Sequence, residues 1–198
     1  MNLANKLTLA RIVMIPLFMA VYLLLPNVLP DWYRFLSAAV FLIAAFTDML
    51  DGKVARSRNM VTDFGKFMDA LADKMLIFSA FICLSAKGEL SVWITMLVVF
   101  REMTVTSLRM VVNSSAGIVI AANLPGKLKT VTQDVAVAAI LLEGYIAMAL
   151  ESWLSFTWPR IGGLYPISLI SVVLMSVMTV VSGLIYLKAY APHINGDK

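Results

Sequence analysis

Several things are scarce in this chain of 198 residues, and each shortage excludes something. It has one cysteine, Cys83, so no disulfide can form within the chain. Its single histidine, His193, follows Pro192 in a short polar tail and reads as solvent-exposed. Charge is sparse: 14% of residues are Asp, Glu, Lys or Arg, against about 25% in an average soluble domain. Apolar residues make up 61%, and the mean hydropathy is +0.87. A chain of this size and composition cannot keep a water-facing surface free of large apolar patches. A soluble helical protein is thereby excluded. Alternation of polar and apolar residues at period two is also missing, which excludes a transmembrane β-barrel. No repeat, low-complexity tail or second domain is visible, so residues 1–198 read as one membrane domain.

Long uncharged runs are what the chain has instead. Ile161 to Leu187 and Ile12 to Pro30 contain no charged residue, and about 20 residues suffice to span a bilayer. Shorter clean runs cover Phe35–Thr47, Met75–Ala86, Leu90–Phe100 and Val135–Leu142. Pro26, Pro30, Gly88, Pro125 and the pair Gly162-Gly163 punctuate them. The expected fold is an all-α integral membrane protein. Its six transmembrane helices fall near 8–25, 33–55, 66–87, 90–113, 130–150 and 164–188. The first span leads directly into a second with no small-residue cleavage site, so the N-terminus is not expected to be a cleaved signal. Leu3, Leu7 and Ala10 share one face of a short amphipathic stretch, which reads as an interfacial helix running into span one.

Six spans put both termini on one side. That side holds Lys6, Arg11, Lys53, Arg56, Arg58, Lys66, Lys127, Lys129, Lys188 and Lys198, and the other only Arg34, Lys87 and Arg160. The positive-inside rule makes the crowded side cytoplasmic. The expected location is the cell membrane, with both termini and the active site facing the cytoplasm. The net charge of +4 suits an anionic lipid surface, and no nucleic-acid partner is expected. Trp32, Trp153 and Trp158 flank spans on the outer side and read as an interfacial belt.

Charges inside the spans are distributed asymmetrically. In span two the clean run ends at Asp48 and Asp51, and in span three Asp69, Asp73 and Lys74 come first. In span four the clean run ends at Arg101, Glu102 and Arg109, and in span five Lys127, Lys129 and Asp134 come first. Every charged half faces the cytoplasm. A mid-membrane charge costs about 2.5–3.5 kcal/mol even on lenient insertion scales. A polar cavity in the cytoplasmic half is therefore expected, beneath an ordinary packed outer half.

Asp48 and Asp51 are three apart, Asp69 and Asp73 four apart, so each pair shares a helix face. The short connection between spans two and three makes them antiparallel neighbours, and the four carboxylates converge. Such a cluster repels itself unless hard divalent cations such as Mg²⁺ or Mn²⁺ bind it. Gly52, Ala55 and Gly65 let a backbone or ligand approach closely, and Arg56 is suited to bidentate contact with phosphate.

The stretch Asp48-x-x-Asp51-Gly52-x-x-Ala55-Arg56, eight residues, then Gly65-x-x-x-Asp69-x-x-x-Asp73, resembles the signature of the CDP-alcohol phosphotransferase family, with every position filled. Asn5-x-x-Thr8-x-x-Arg11, Arg101-Glu102-x-x-x-Thr106-x-x-Arg109 and Gly126-Lys127-x-Lys129-Thr130-x-x-Gln133 are similar to the bacterial branch that makes phosphatidylglycerol phosphate. The resemblance implies transfer of a phosphatidyl group from CDP-diacylglycerol to sn-glycerol 3-phosphate, with release of CMP. It implies a divalent metal, Mg²⁺ or Mn²⁺, and a homodimer. It makes Asp48, Asp51 and Asp69 metal ligands, and Asp73 both a ligand and the catalytic base. Gly52, Arg56 and Thr62 match positions that contact the CDP-lipid, Ala55 and Gly65 line the nucleotide pocket, and Asn5 and Thr8 lie near the cytidine.

Physical chemistry is compatible with that assignment. Two cations about 3.5–4 Å apart commonly serve such displacements. An attacking hydroxyl needs a base within hydrogen-bond reach, and Asp73 lies farthest along span three. On the acceptor side, Arg101, Arg109, Lys127 and Lys129 exceed what Glu102 and Asp134 can pair. That surplus, with Thr106 as a neutral contact, is expected to hold an anionic acceptor phosphate. Two alternatives stand beside this reading: a sister enzyme using inositol phosphate, serine or phosphatidylglycerol, and an ion-coupled transporter working through intramembrane aspartates.

Overall fold

A computed structural model describes residues 3–30, 32–57, 63–116, 124–155 and 157–194, with side chains at 8–30, 32–47, 68, 70–112, 124–155 and 157–191. Among them the chain forms α1 Leu3–Leu24, α2 Tyr33–Ser57, α3 Asp63–Ala86, α4 Val92–Ala116, α5 Leu124–Leu154 and α6 Pro166–Ile194. A 3-10 turn at Leu25–Asn27 follows α1, and no β-strand occurs among the described residues. Each helix overlays one expected span. The differences lie at the ends, where polar helical residues carry no hydropathy signal. The expected interfacial stretch and first span form one unbroken helix from Leu3. α5 begins at Leu124 rather than near 130, with Pro125 in its first turn. Proline is suited to that place, because a first-turn N–H has no helical partner to lose.

Among the described residues, three stretches are long and apolar enough to cross a membrane: Thr8–Asn27, Leu124–Leu154 and Pro166–Ala191. Tyr33–Thr47 is a shorter apolar stretch within α2. α6 shows how the chain meets lipid. Ser168, Val172, Met175, Thr179, Ser182, Tyr186 and Tyr190 are buried at spacings of three and four. Ile167, Ile170, Val177, Leu184 and Leu187 are exposed on its other face. Leaving such a stripe exposed would be costly in water but not in hydrocarbon, where helices associate through close packing and hydrogen bonds. α1 repeats the pattern, burying Thr8, Arg11, Ile15, Phe18 and Tyr22.

α1 packs against α2 and α3, α5 against α6 and α2, and α4 against α6. At the end read as outer, the structure departs from an ordinary packed bundle. Arg34 at the start of α2, itself buried, forms an ion pair with the half-buried Glu89, just beyond α3. Tyr22 donates to Glu89 Oε2 at 2.7 Å. Lys87 donates to the Tyr22 carbonyl at 2.7 Å, near the negative end of the α1 dipole, and lies 4.4 Å from the ring centroids of both Tyr22 and Tyr33. Gly144 of α5 is required there, because a Cβ would collide with the Arg34 guanidinium. Next to it in the chain, Glu143 accepts hydrogen bonds from the Ile167 and Ser168 amides, at 3.1 and 2.6 Å, and from the Ser168 hydroxyl. It caps the first turn of α6 from a neighbouring helix. Of the tryptophans expected to flank spans, Trp32 and Trp153 are exposed and Trp158 is half-buried.

Candidate active site

α2 carries Asp48, Asp51, Gly52, Ala55 and Arg56, and α3 carries Gly65, Asp69 and Asp73. The two helices are consecutive and touch each other. Thr62 lies outside the described residues, as do the side chains of Asn5, Asp48, Asp51, Ala55, Arg56 and Asp69. Asp73 is described and half-buried. The helices thus carry the four aspartates at spacings of three and four on consecutive, touching elements; an oxygen-only set of that kind is what a hard divalent cation takes. α1 packs on both helices and buries Thr8 and the whole of Arg11. A charged side chain withdrawn this completely must be satisfied inside the protein.

The expected acceptor residues divide into two groups. On α4, Val98, Arg101, Glu102, Val105 and Val112 form the buried face. Arg101 Nη1 lies 2.8 Å from Glu102 Oε1, and Lys129 of α5 makes an ion pair with the same oxygen. Arg101 Nη2 also donates to the Ser182 hydroxyl of α6 at 2.9 Å. Arg101, Glu102 and Lys129 are all at most 9% exposed, and Gln133, one turn beyond Lys129, is buried too. α5, which carries Lys129, also touches α3, which carries Asp73. One carboxylate thus serves two buried cations. Breaking such a pair from one side strands a charge in low dielectric, so Glu102 holds both cations in place.

The second group is more accessible. Arg109 and Lys127 are exposed and Thr106 is half-buried. The Arg109 guanidinium lies 5.7 Å from the centroid of the Tyr186 ring. The surplus of positive charge read from the sequence is present, and the structure adds what organises it. The role of Glu102 as a shared partner, the burial of Arg11, and the α6 contacts from Ser182 and Tyr186 were not legible in the sequence. Their partners lie far apart along the chain, beyond any local spacing, and Tyr186 sits within a run that reads only as apolar.

The helices, the aspartate-bearing pair and the buried cations define a class. The chain belongs to the CDP-alcohol phosphatidyltransferase family, whose model matches residues 1–159. Among curated proteins it is 44% identical over 153 residues to the CDP-diacylglycerol–glycerol-3-phosphate 3-phosphatidyltransferase of Bacillus subtilis (strain 168), covering 71% of this chain and 77% of that one. It is 45% identical over 141 residues to a probable phosphatidylglycerophosphate synthase of Mycobacterium tuberculosis (strain H37Rv), covering 71% of this chain and 66% of the relative. The protein of Escherichia coli (strain K12) that bears the same name as the Bacillus one is 35% identical over 144 residues, covering 71% and 76%.

Proposed function

We propose that this chain transfers the phosphatidyl group of CDP-diacylglycerol to a hydroxyl of sn-glycerol 3-phosphate, giving phosphatidylglycerol phosphate and CMP. Similarity to relatives named for this activity carries the reading. The cation surplus on α4 and α5 supplies its physical reason, because an acceptor that brings its own phosphate needs positive charge that a neutral alcohol does not.

Asp48, Asp51, Asp69 and Asp73 would hold divalent cations, Mg²⁺ or Mn²⁺. When bound, these supply charge neutralisation for the pyrophosphate and the departing CMP. The protein's own groups do the rest. Arg56, Thr62, Gly52, Ala55, Gly65, Asn5 and Thr8 form the CDP-lipid pocket. Arg109, Lys127, Lys129, Arg101 and Thr106 orient the acceptor phosphate. Asp73 accepts the proton of the attacking hydroxyl as its oxygen bonds to the lipid-side phosphorus and the bond from that phosphorus to the bridging oxygen breaks. Half-burial of Asp73 limits the water that would compete for the donor.

Six spans, a polar cavity opening to the cytoplasm and cytoplasmic termini complete the proposal. They keep the acyl chains in the bilayer while nucleotide and acceptor enter from water. A homodimer rests on the family resemblance alone, and cross-linking in membranes tests it. The enzymatic test is CMP release from CDP-diacylglycerol by purified protein in mixed micelles, with and without Mg²⁺, across an acceptor panel. Release that needs both Mg²⁺ and glycerol 3-phosphate is expected. Release driven by inositol phosphate, serine or phosphatidylglycerol would move the assignment to a sister enzyme. Metal-independent ion flux without CMP release would favour a transporter.

A further inference from the structure

Tyr186 lies on α6, beyond the residues matched by the family model, and is 2% exposed. The guanidinium carbons of Arg101 and Arg109 lie 5.6 and 5.7 Å from its ring centroid. A Cβ on Gly126 would come within 2.8 Å of its hydroxyl oxygen, so the ring also rests on the first turn of α5, beside Lys127. Behind it Tyr190 stacks at 6.2 Å with an interplanar angle of 16°. One buried ring therefore touches both helices that carry the cationic set.

We propose that Tyr186 is a positioning residue for the acceptor phosphate, acting through Arg109. The inference rests on the function proposed above. Arg109 has a long, exposed side chain whose rotamers must be restricted before it can hold an anion in one geometry. A guanidinium within about 6 Å of an aromatic face is attracted to its quadrupole. The ring restricts Arg109 before the acceptor arrives, while the side chain stays exposed. Arg101 is already committed to Glu102 and Ser182, so the ring's effect on ligand binding falls on Arg109. A residue of the chain outside the family match thereby helps to hold the acceptor phosphate.

The test compares Tyr186→Phe, Tyr186→Leu and Tyr186→Leu in an Arg109→Ala background, assayed by CMP release with each substrate varied in turn. Tyr186→Leu should raise the KM for glycerol 3-phosphate about tenfold, with kcat and the KM for CDP-diacylglycerol within about twofold of the parent. Tyr186→Phe keeps the ring and should behave like the parent. In the Arg109→Ala background, Tyr186→Leu should add little. Equal changes in both KM values, a Tyr186→Phe variant as impaired as Tyr186→Leu, or additive effects with Arg109→Ala would each overturn the proposal. If the parent protein releases no CMP in response to glycerol 3-phosphate, the function itself fails and this inference falls with it. A parent that responds while the variants depart from the pattern overturns the inference alone.

Discussion

At one end of the bundle Arg34 meets a half-buried Glu89, and toward the other Arg101 meets Glu102 in a buried pair; the two are completed differently. Around Glu89, the neighbouring cation Lys87 is taken up by a carbonyl and two aromatic rings, and Tyr22 donates to Oε2, the oxygen that also accepts from Arg34 Nη1. Nearby Glu143 closes the open amides of α6. Around Glu102, too, two cations meet one carboxylate, Arg101 and Lys129 sharing a single oxygen, but here two further cations, Arg109 and Lys127, stay exposed close by. The first arrangement is what a bundle needs to tie α1, α2 and α3 together away from water. The second leaves positive charge exposed, which is what the proposed anionic acceptor would use.

The largest expected effect that sharpens this contrast is at Asp73. Asp73→Asn should lower kcat by about 10²–10⁴-fold, as loss of a general base does, with CDP-diacylglycerol binding retained in an equilibrium binding assay. Full turnover in that variant would remove Asp73 from the role. The matched pair Glu89→Gln and Glu102→Gln comes next. Glu102→Gln leaves two buried cations uncompensated and should cost about 3–5 kcal/mol, and Glu89→Gln, at a half-buried carboxylate, less; both are read as a lower Tm in detergent. They should part in kinetics: Glu102→Gln raises the acceptor KM, and Glu89→Gln leaves it unchanged in the molecules that remain folded. The same kinetic change in both would dissolve the distinction between the ends. Glu143→Ala should cost about 1–3 kcal/mol through the exposed amides of α6, with kcat/KM unaltered. The smallest effect is at exposed Lys127, where Lys127→Ala should raise the acceptor KM about two- to fivefold and leave Tm in place.

How much of this could be read from the sequence follows the same division. Helices were legible because an apolar run of about 20 residues matches the thickness of a bilayer, and each of α1 to α6 overlays an apolar run. Their polar ends were not, as α5 shows by extending back through Lys127 and Gly126 to Leu124. The aspartates stood out because their spacing of three and four is local to one helix. The excess of cations on α4 and α5 was also countable. The network of Arg34, Glu89 and Lys87, the cap from Glu143 and the ring of Tyr186 were invisible because each depends on residues brought together from distant parts of the chain. A buried Glu143 within a predicted span was the one local signal, since an acid in such a place requires a partner.

Catalysis as proposed depends first on Asp48, Asp51, Asp69 and Asp73 sharing their cations across α2 and α3. Electron paramagnetic resonance of Mn²⁺ added to the purified protein tests this without relying on turnover. Protein-bound Mn²⁺ is expected in the parent, and its loss is expected in both Asp51→Asn and Asp69→Asn, one change on each helix. Mn²⁺ binding that survives in both variants would contradict a shared site.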